Sequence, residues 1–327
     1  MIGATIFGLR GPDLSPRERA FFREADPWGF IVFARNVETP DRMRALTAAL
    51  RDCVGRNAPI LVDQEGGRVQ RLGPPFWSRW MRPLTQMDRA TDPERAMWLR
   101  ARLIAHELHA VGIDVNCTPT ADLASEDTHE FLRSRLYGRS RDAVIARARA
   151  NAEGCLAGGV LPVLKHIPGH GRAGVDSHYG LPRVSASAEA LRAHDFAVFA
   201  GLNDLPLGMT AHVVYEAIDP LRPGTQSPAI LREVRDVIGF GGLLMTDDIS
   251  MGALPGTMTE RCAEAIAAGC DVILHCNGDM DEMQDAAAAA GRMSADAQRR
   301  ADEALQMRAP PVALDIEAAR AELMAQS

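Results

Sequence analysis

Residues 165–184 read KHIPGHGRAGVDSHYGLPRV and place His166, His170, His178 and Asp176 among glycines and prolines. No regular element is visible there, and a loop of roughly twenty residues inside a compact domain is usually functional. Asp176 and His178 stand two apart, so an extended backbone would turn both side chains to one side. A carboxylate beside an imidazole fixes its tautomer and raises its basicity, as a general acid/base near neutral pH requires. On spacing alone, an uncoupled surface pair is the simpler reading. Asp247 and Asp248 close the apolar segment GFGGLLMTDD. Neighbouring strand residues face opposite ways, so one of the two is expected to face a site, as nucleophile, metal ligand or structural acceptor.

Other chemistries fit these residues poorly. Gly169, Gly171 and Gly174 match G-x-G-x-x-G, but Pro168 precedes them and no helix follows. Asp176, Ser177 and His178 name a hydrolase triad, yet consecutive residues cannot chain their side chains, and no G-x-S-x-G elbow occurs. His166 and His170 have zincin spacing, but Pro168 and Gly169 between them oppose the helix this needs. No His-x-His marks the first apolar run, GATIFGL, and no metal or cofactor is expected.

What must position these groups is a set of short apolar runs at wide spacing. Strands are expected at 4–9, 29–33, 60–63, 111–117, 160–166, 207–213, 242–247 and 271–276. Their continuous apolar character suits parallel strands buried on both faces. Helices are expected at 42–51, 93–110, 141–157, 187–202 and 258–268, with Ser187 as an N-cap. Eight strands alternating with helices predict an α/β fold, a single-domain (β/α)₈ TIM-type barrel over residues 1–327. The tail after Met307 is expected to pack on the barrel exterior. In such a barrel the chemistry gathers where strands end. Asp63-Gln64-Glu65, Lys165-His166, His212, Asp247-Asp248 and Asn277 all fall at or just after expected strand ends.

The balance of the chain is that of an ordinary enzyme-sized protein. Apolar residues make up 46% of 327, charged residues 24%, and the formal net charge is −7. No basic stripe invites nucleic acid. No apolar run approaches the ~18 residues of a membrane span. The opening MIGATIFGLRGPDLSP lacks the pattern of a secretory signal. The six cysteines form no C-x-x-C pair and are expected as buried, reduced thiols in the cytoplasm. A monomer is expected.

Taken together, VDQEGGRVQRL (62–72), KHIPGHG (165–171), DSH (176–178) and TDDISM (246–251) resemble the bacterial β-N-acetylglucosaminidases of glycoside hydrolase family 3. Weaker echoes are GFIVFARN (29–36), AHVVY (211–215) and GCDVILHCN (269–277). The resemblance implies a retaining hydrolase in which Asp247 is the nucleophile, His178 the acid/base and Asp176 its orienting partner. It implies sugar binding by Asp63, Arg71, Arg135, Lys165 and His166. Arg71 could instead bridge to Glu65, and Arg135 could form a surface ion pair. His212 could touch ligand or stand behind the site. The implied substrate is a peptidoglycan-derived anhydro-muropeptide carrying terminal N-acetylglucosamine, which implies a role in cell-wall recycling. The single-domain length resembles the cytoplasmic form.

Overall fold

A computed structural model describes residues 1–125, 128–174 and 180–326. Its strands are β1 (Gly3–Gly8), β2 (Pro27–Val32), β3 (Ile60–Val62), β4 (Val115–Asn116), β5 (Leu161–Ile167), β6 (Arg183–Val184), β7 (Leu207–Thr210), β8 (Val214–Tyr215), β9 (Leu243–Asp248) and β10 (Val272–His275). Eight of them close a barrel in the order β1-β10-β9-β7-β5-β4-β3-β2, every neighbouring pair parallel. β6 and β8 pair separately. Helical segments follow each barrel strand and form the outer layer, so the (β/α)₈ expectation holds.

The apolar runs become strands because both faces are covered. Ile6, Phe30, Ile60, Val115, Val163, Leu207, Leu244 and Ile273 are all without solvent exposure. Each such side chain contributes about 1.5–3 kcal/mol by leaving water. The helices carry the sequence signals of their ends. Ser15 and Glu18 form a reciprocal capping box, and Ser187 accepts the N–H of Ala190 at 3.1 Å as expected.

Three expected elements differ in extent. The run 111–117 supplies only Val115–Asn116 to the barrel. Its first residues turn the chain out of helix Pro93–His109, with Gly112 at φ 77°. The run 207–213 stops at Thr210, and the chain then leaves the barrel to pair β8 with β6. The helix expected at 187–202 is broken by a π-helical turn, Leu191–Asp195, where buried Asp195 meets Arg172 at 2.7 Å. All six cysteines are buried free thiols. The tail forms helix Ile316–Ala325 and lies against helix Pro93–His109, tied by Arg95–Glu322 at 2.7 Å. Among the described residues, no helix is long and apolar enough to cross a membrane.

Candidate active site

Because all eight strands run parallel, their C-terminal ends share one mouth. A cavity of about 340 Å³ opens there, lined by Asp63, Arg71, Arg135, Lys165, His166 and Asp247 with apolar Phe33, Val69, Met209 and Met251. The barrel thus brings together six residues singled out from the sequence. Asp176 and His178, the remaining two, lie outside the described residues.

The floor is a charge network with Glu65 near its centre. The Lys165 ammonium donates to Asp63 at 2.9 Å and reaches Glu65 at 2.7 Å. Arg135 grips both oxygens of Glu65, at 2.7 and 2.9 Å. Arg71 meets Asp63 at 3.2 Å, so its partner is not Glu65. Arg135 is no surface pair, since its side chain and that of Glu65 are only 9% and 1% exposed. Burial alone would raise the carboxyl pKa of Glu65, but Arg135 and Lys165 pull it down to about 2. Asp63 is likewise driven below its usual range: burial opposes, Lys165 and Arg71 prevail. Lys165 is held charged by Asp63 and Glu65 against the burial that would lower it. Donor capacity remains for a ligand. An ammonium has three N–H groups, and the Arg135–Glu65 fork uses only Nε and Nη2.

His166 stands on the next part of the wall. Its Nδ1 is 2.7 Å from the Asp122 carboxylate, which also accepts the backbone N–H of His170 at 2.6 Å. Nδ1 therefore carries its proton toward Asp122, and Nε2 is left for a ligand. Asp122 is held ionised: burial works against this, and His166 and His170 outweigh it. His170 also lines the cavity. Burial first, then its neighbour His166, lower its pKa to about 4, so it is neutral near pH 7.

Asp247 enters from the end of β9. One of its oxygens accepts the backbone N–H of Asp248 at 2.8 Å. Burial would raise its pKa, but His166, His212, that N–H and Lys165 hold it lower, so the group is an ionised carboxylate. Asp248 borders the cavity as well. The register between β9 and β10 shifts at this point. Asp248 is occupied in holding the turn, accepting Ser250 Oγ at 2.9 Å and the Cys276 N–H at 3.1 Å. His212 stands behind the site. Its Nε2 is 3.0 Å from the Asp248 carbonyl, which can only accept, so Nδ1 takes the hydroxyl proton of Thr225 at 2.7 Å. It anchors the strand end that carries Asp247.

The sequence analysis named Glu65 and His170 without giving them a role in the site, and it passed over Asp122. Glu65 was visible in its strand-end cluster, whereas nothing local marked Asp122. Chemically, the cavity offers ionised Asp247, which among the described residues has no cationic side chain in hydrogen-bond contact, set against a floor of donors and acceptors. That suits a polyhydroxylated ligand with an electrophilic carbon.

Comparison with known proteins gives the same picture. The glycosyl hydrolase family 3 N terminal domain matches residues 18–306. A beta-hexosaminidase of Alkalilimnicola ehrlichii is 38% identical over 290 residues, covering 85% of this chain and 81% of that relative. One from Pseudomonas aeruginosa is 35% identical over 282 residues, covering 85% and 83%. Among solved structures, NagZ of Neisseria gonorrhoeae superposes with a TM-score of 0.84 at 30% identity, covering 99% of this chain and 96% of that one. The same protein has also been solved with N-trifluoroacetyl-D-glucosamine.

Proposed function

The chain belongs to glycosyl hydrolase family 3, and from that premise we propose that it removes β-linked N-acetylglucosamine from the non-reducing end of its substrate with retention of configuration. The observation that carries this reading is the meeting in one cavity of ionised Asp247 with the Asp63–Lys165–Glu65–Arg135 network. Asp63, Arg71, Arg135, Lys165 and His166 hold the hydroxyls of the terminal sugar. Asp247 attacks the anomeric carbon as the bond to the aglycone oxygen breaks. His178, oriented by Asp176, gives its proton to that oxygen, so the leaving group departs neutral. In the second step His178 takes a proton from water, the water oxygen bonds to the anomeric carbon, and Asp247 is released.

Most retaining glycosidases use a second carboxylate where this reading places a histidine. The aglycone side of the substrate is a peptidoglycan-derived anhydro-muropeptide, and the role is cell-wall recycling in the cytoplasm. Six buried free thiols suit a reducing compartment. Residues 1–327 act as one barrel domain.

Two measurements test this reading. Aryl N-acetylglucosaminide should be cleaved far better than aryl glucoside, giving free N-acetylglucosamine whether or not phosphate is present. Asp247→Ala should abolish turnover with an unchanged circular dichroism spectrum. A sugar phosphate product, or full activity in Asp247→Ala, would defeat it.

A further inference from the structure

Arg68 differs from the other cations of the cavity. Arg71, Arg135 and Lys165 each meet a carboxylate. Arg68 lines the same cavity from an exposed position at its mouth, and among the described residues no carboxylate pairs with it. Its guanidinium is nonetheless placed. It lies over the Phe131 ring at 4.3 Å from the centroid, on a ring that also carries Arg135 at 5.0 Å. Stacking of this kind orients the planar fork and leaves its edge N–H groups outward.

The backbone beneath Arg68 is built for this. Gly66 and Val69 bridge antiparallel, with N–H to O distances of 3.0 and 3.3 Å, so Gly67 and Arg68 form the tip of a tight turn. Gly67 takes φ 63° and donates to the Trp80 carbonyl at 2.9 Å. The buried Arg100 guanidinium holds the carbonyls of Glu65 and Met81 behind the tip. A charged side chain stacked on a ring, at the end of a clamped turn, is a presented group rather than a wandering surface arginine.

We propose that Arg68 recognises a carboxylate on the aglycone of the scissile glycoside. This rests on the reading above, in which the terminal sugar occupies the buried floor, so the leaving portion must extend to the mouth where Arg68 stands. A guanidinium fork matches a carboxylate with two parallel hydrogen bonds. The aglycone class is therefore acidic, a sugar acid or an acyl-peptide carboxylate.

The test compares 4-carboxyphenyl and 4-carbamoylphenyl N-acetylglucosaminides, alike in shape and differing in charge. The readout is the ratio of their kcat/KM values, which a partly folded fraction does not alter. Arg68→Gln should lower the charged-to-neutral ratio about tenfold, and Arg68→Lys should restore part of it. An unchanged ratio in Arg68→Gln overturns the proposal. So does rate enhancement by inorganic phosphate that disappears in Arg68→Gln, because the guanidinium would then serve a free anion. If the unaltered enzyme cleaves neither glycoside, the parent reading falls and takes this one with it.

Discussion

Glu65 touches no reacting atom in this account, yet it fixes two of the groups that do the binding. Replacing it by glutamine leaves Arg135 and Lys165 buried beside a neutral amide. Breaking one side of a buried ion pair costs about 3–5 kcal/mol, so Glu65→Gln should lower the urea midpoint markedly and raise KM. The pH dependence has a definite sign. The Glu65 carboxyl lies at about 2 in the folded protein against an ordinary value of 4.5. A depressed folded value adds stability that is complete above the ordinary range and is lost as pH falls toward the folded one. The gap between wild type and Glu65→Gln should thus stay level above about pH 6 and shrink progressively below about pH 4.5. His178→Ala makes a separate prediction. It should slow poor leaving groups much more than activated aryl glycosides, because protonation of the leaving oxygen matters less there. The charged residues of the floor could be picked out from the sequence, but their pairings could not. Arg71 stands six residues from Glu65 in sequence and binds Asp63, because the turn at 66–69 redirects the chain between them.

The turn after β3 is the element on which the floor depends most. Gly66 has φ 95°, and a Cβ there would come within 1.9 Å of the Arg100 guanidinium and 2.9 Å of Trp80 Cβ. Gly66→Ala must therefore displace the turn. A cost of about 1–3 kcal/mol in stability is expected, with a raised KM for the N-acetylglucosaminide, readable from thermal melts and steady-state kinetics. Unchanged values for both would mean that the turn does not set the floor. The strands were legible as apolar runs because parallel strands are covered on both faces. Their ends were less so. Val111, Ile113, Ala211 and Val213 extend the apolar runs beyond the true strands, but the first two belong to the turn out of a helix and the second two leave the barrel to reach β8. Asp122 escaped notice for a related reason. It lies six residues past the end of β4, where hydrogen bonds to His166 and His170 give it meaning.

Across the whole molecule, closure of the barrel makes one mouth out of eight strand ends, and closure was legible as the count and spacing of runs. The outer layer contributes stability at a distance from the chemistry. Helix Ile316–Ala325 buries Ala319 and Leu323, and Arg320 reaches Glu107 at 3.2 Å. Deleting residues 316–327 should lower the melting temperature by roughly 5 °C while leaving KM near its original value. A large change in KM would mean that this helix communicates with the mouth. The central claim concerns Asp247, and it is tested most directly by mass spectrometry of His178→Ala mixed with an activated aryl N-acetylglucosaminide. Without the imidazole the first step proceeds and the second stalls. The account predicts an N-acetylglucosaminyl adduct on the peptide containing Asp247. Release of the aryl group with that peptide unmodified, or with the sugar on another residue, would contradict it.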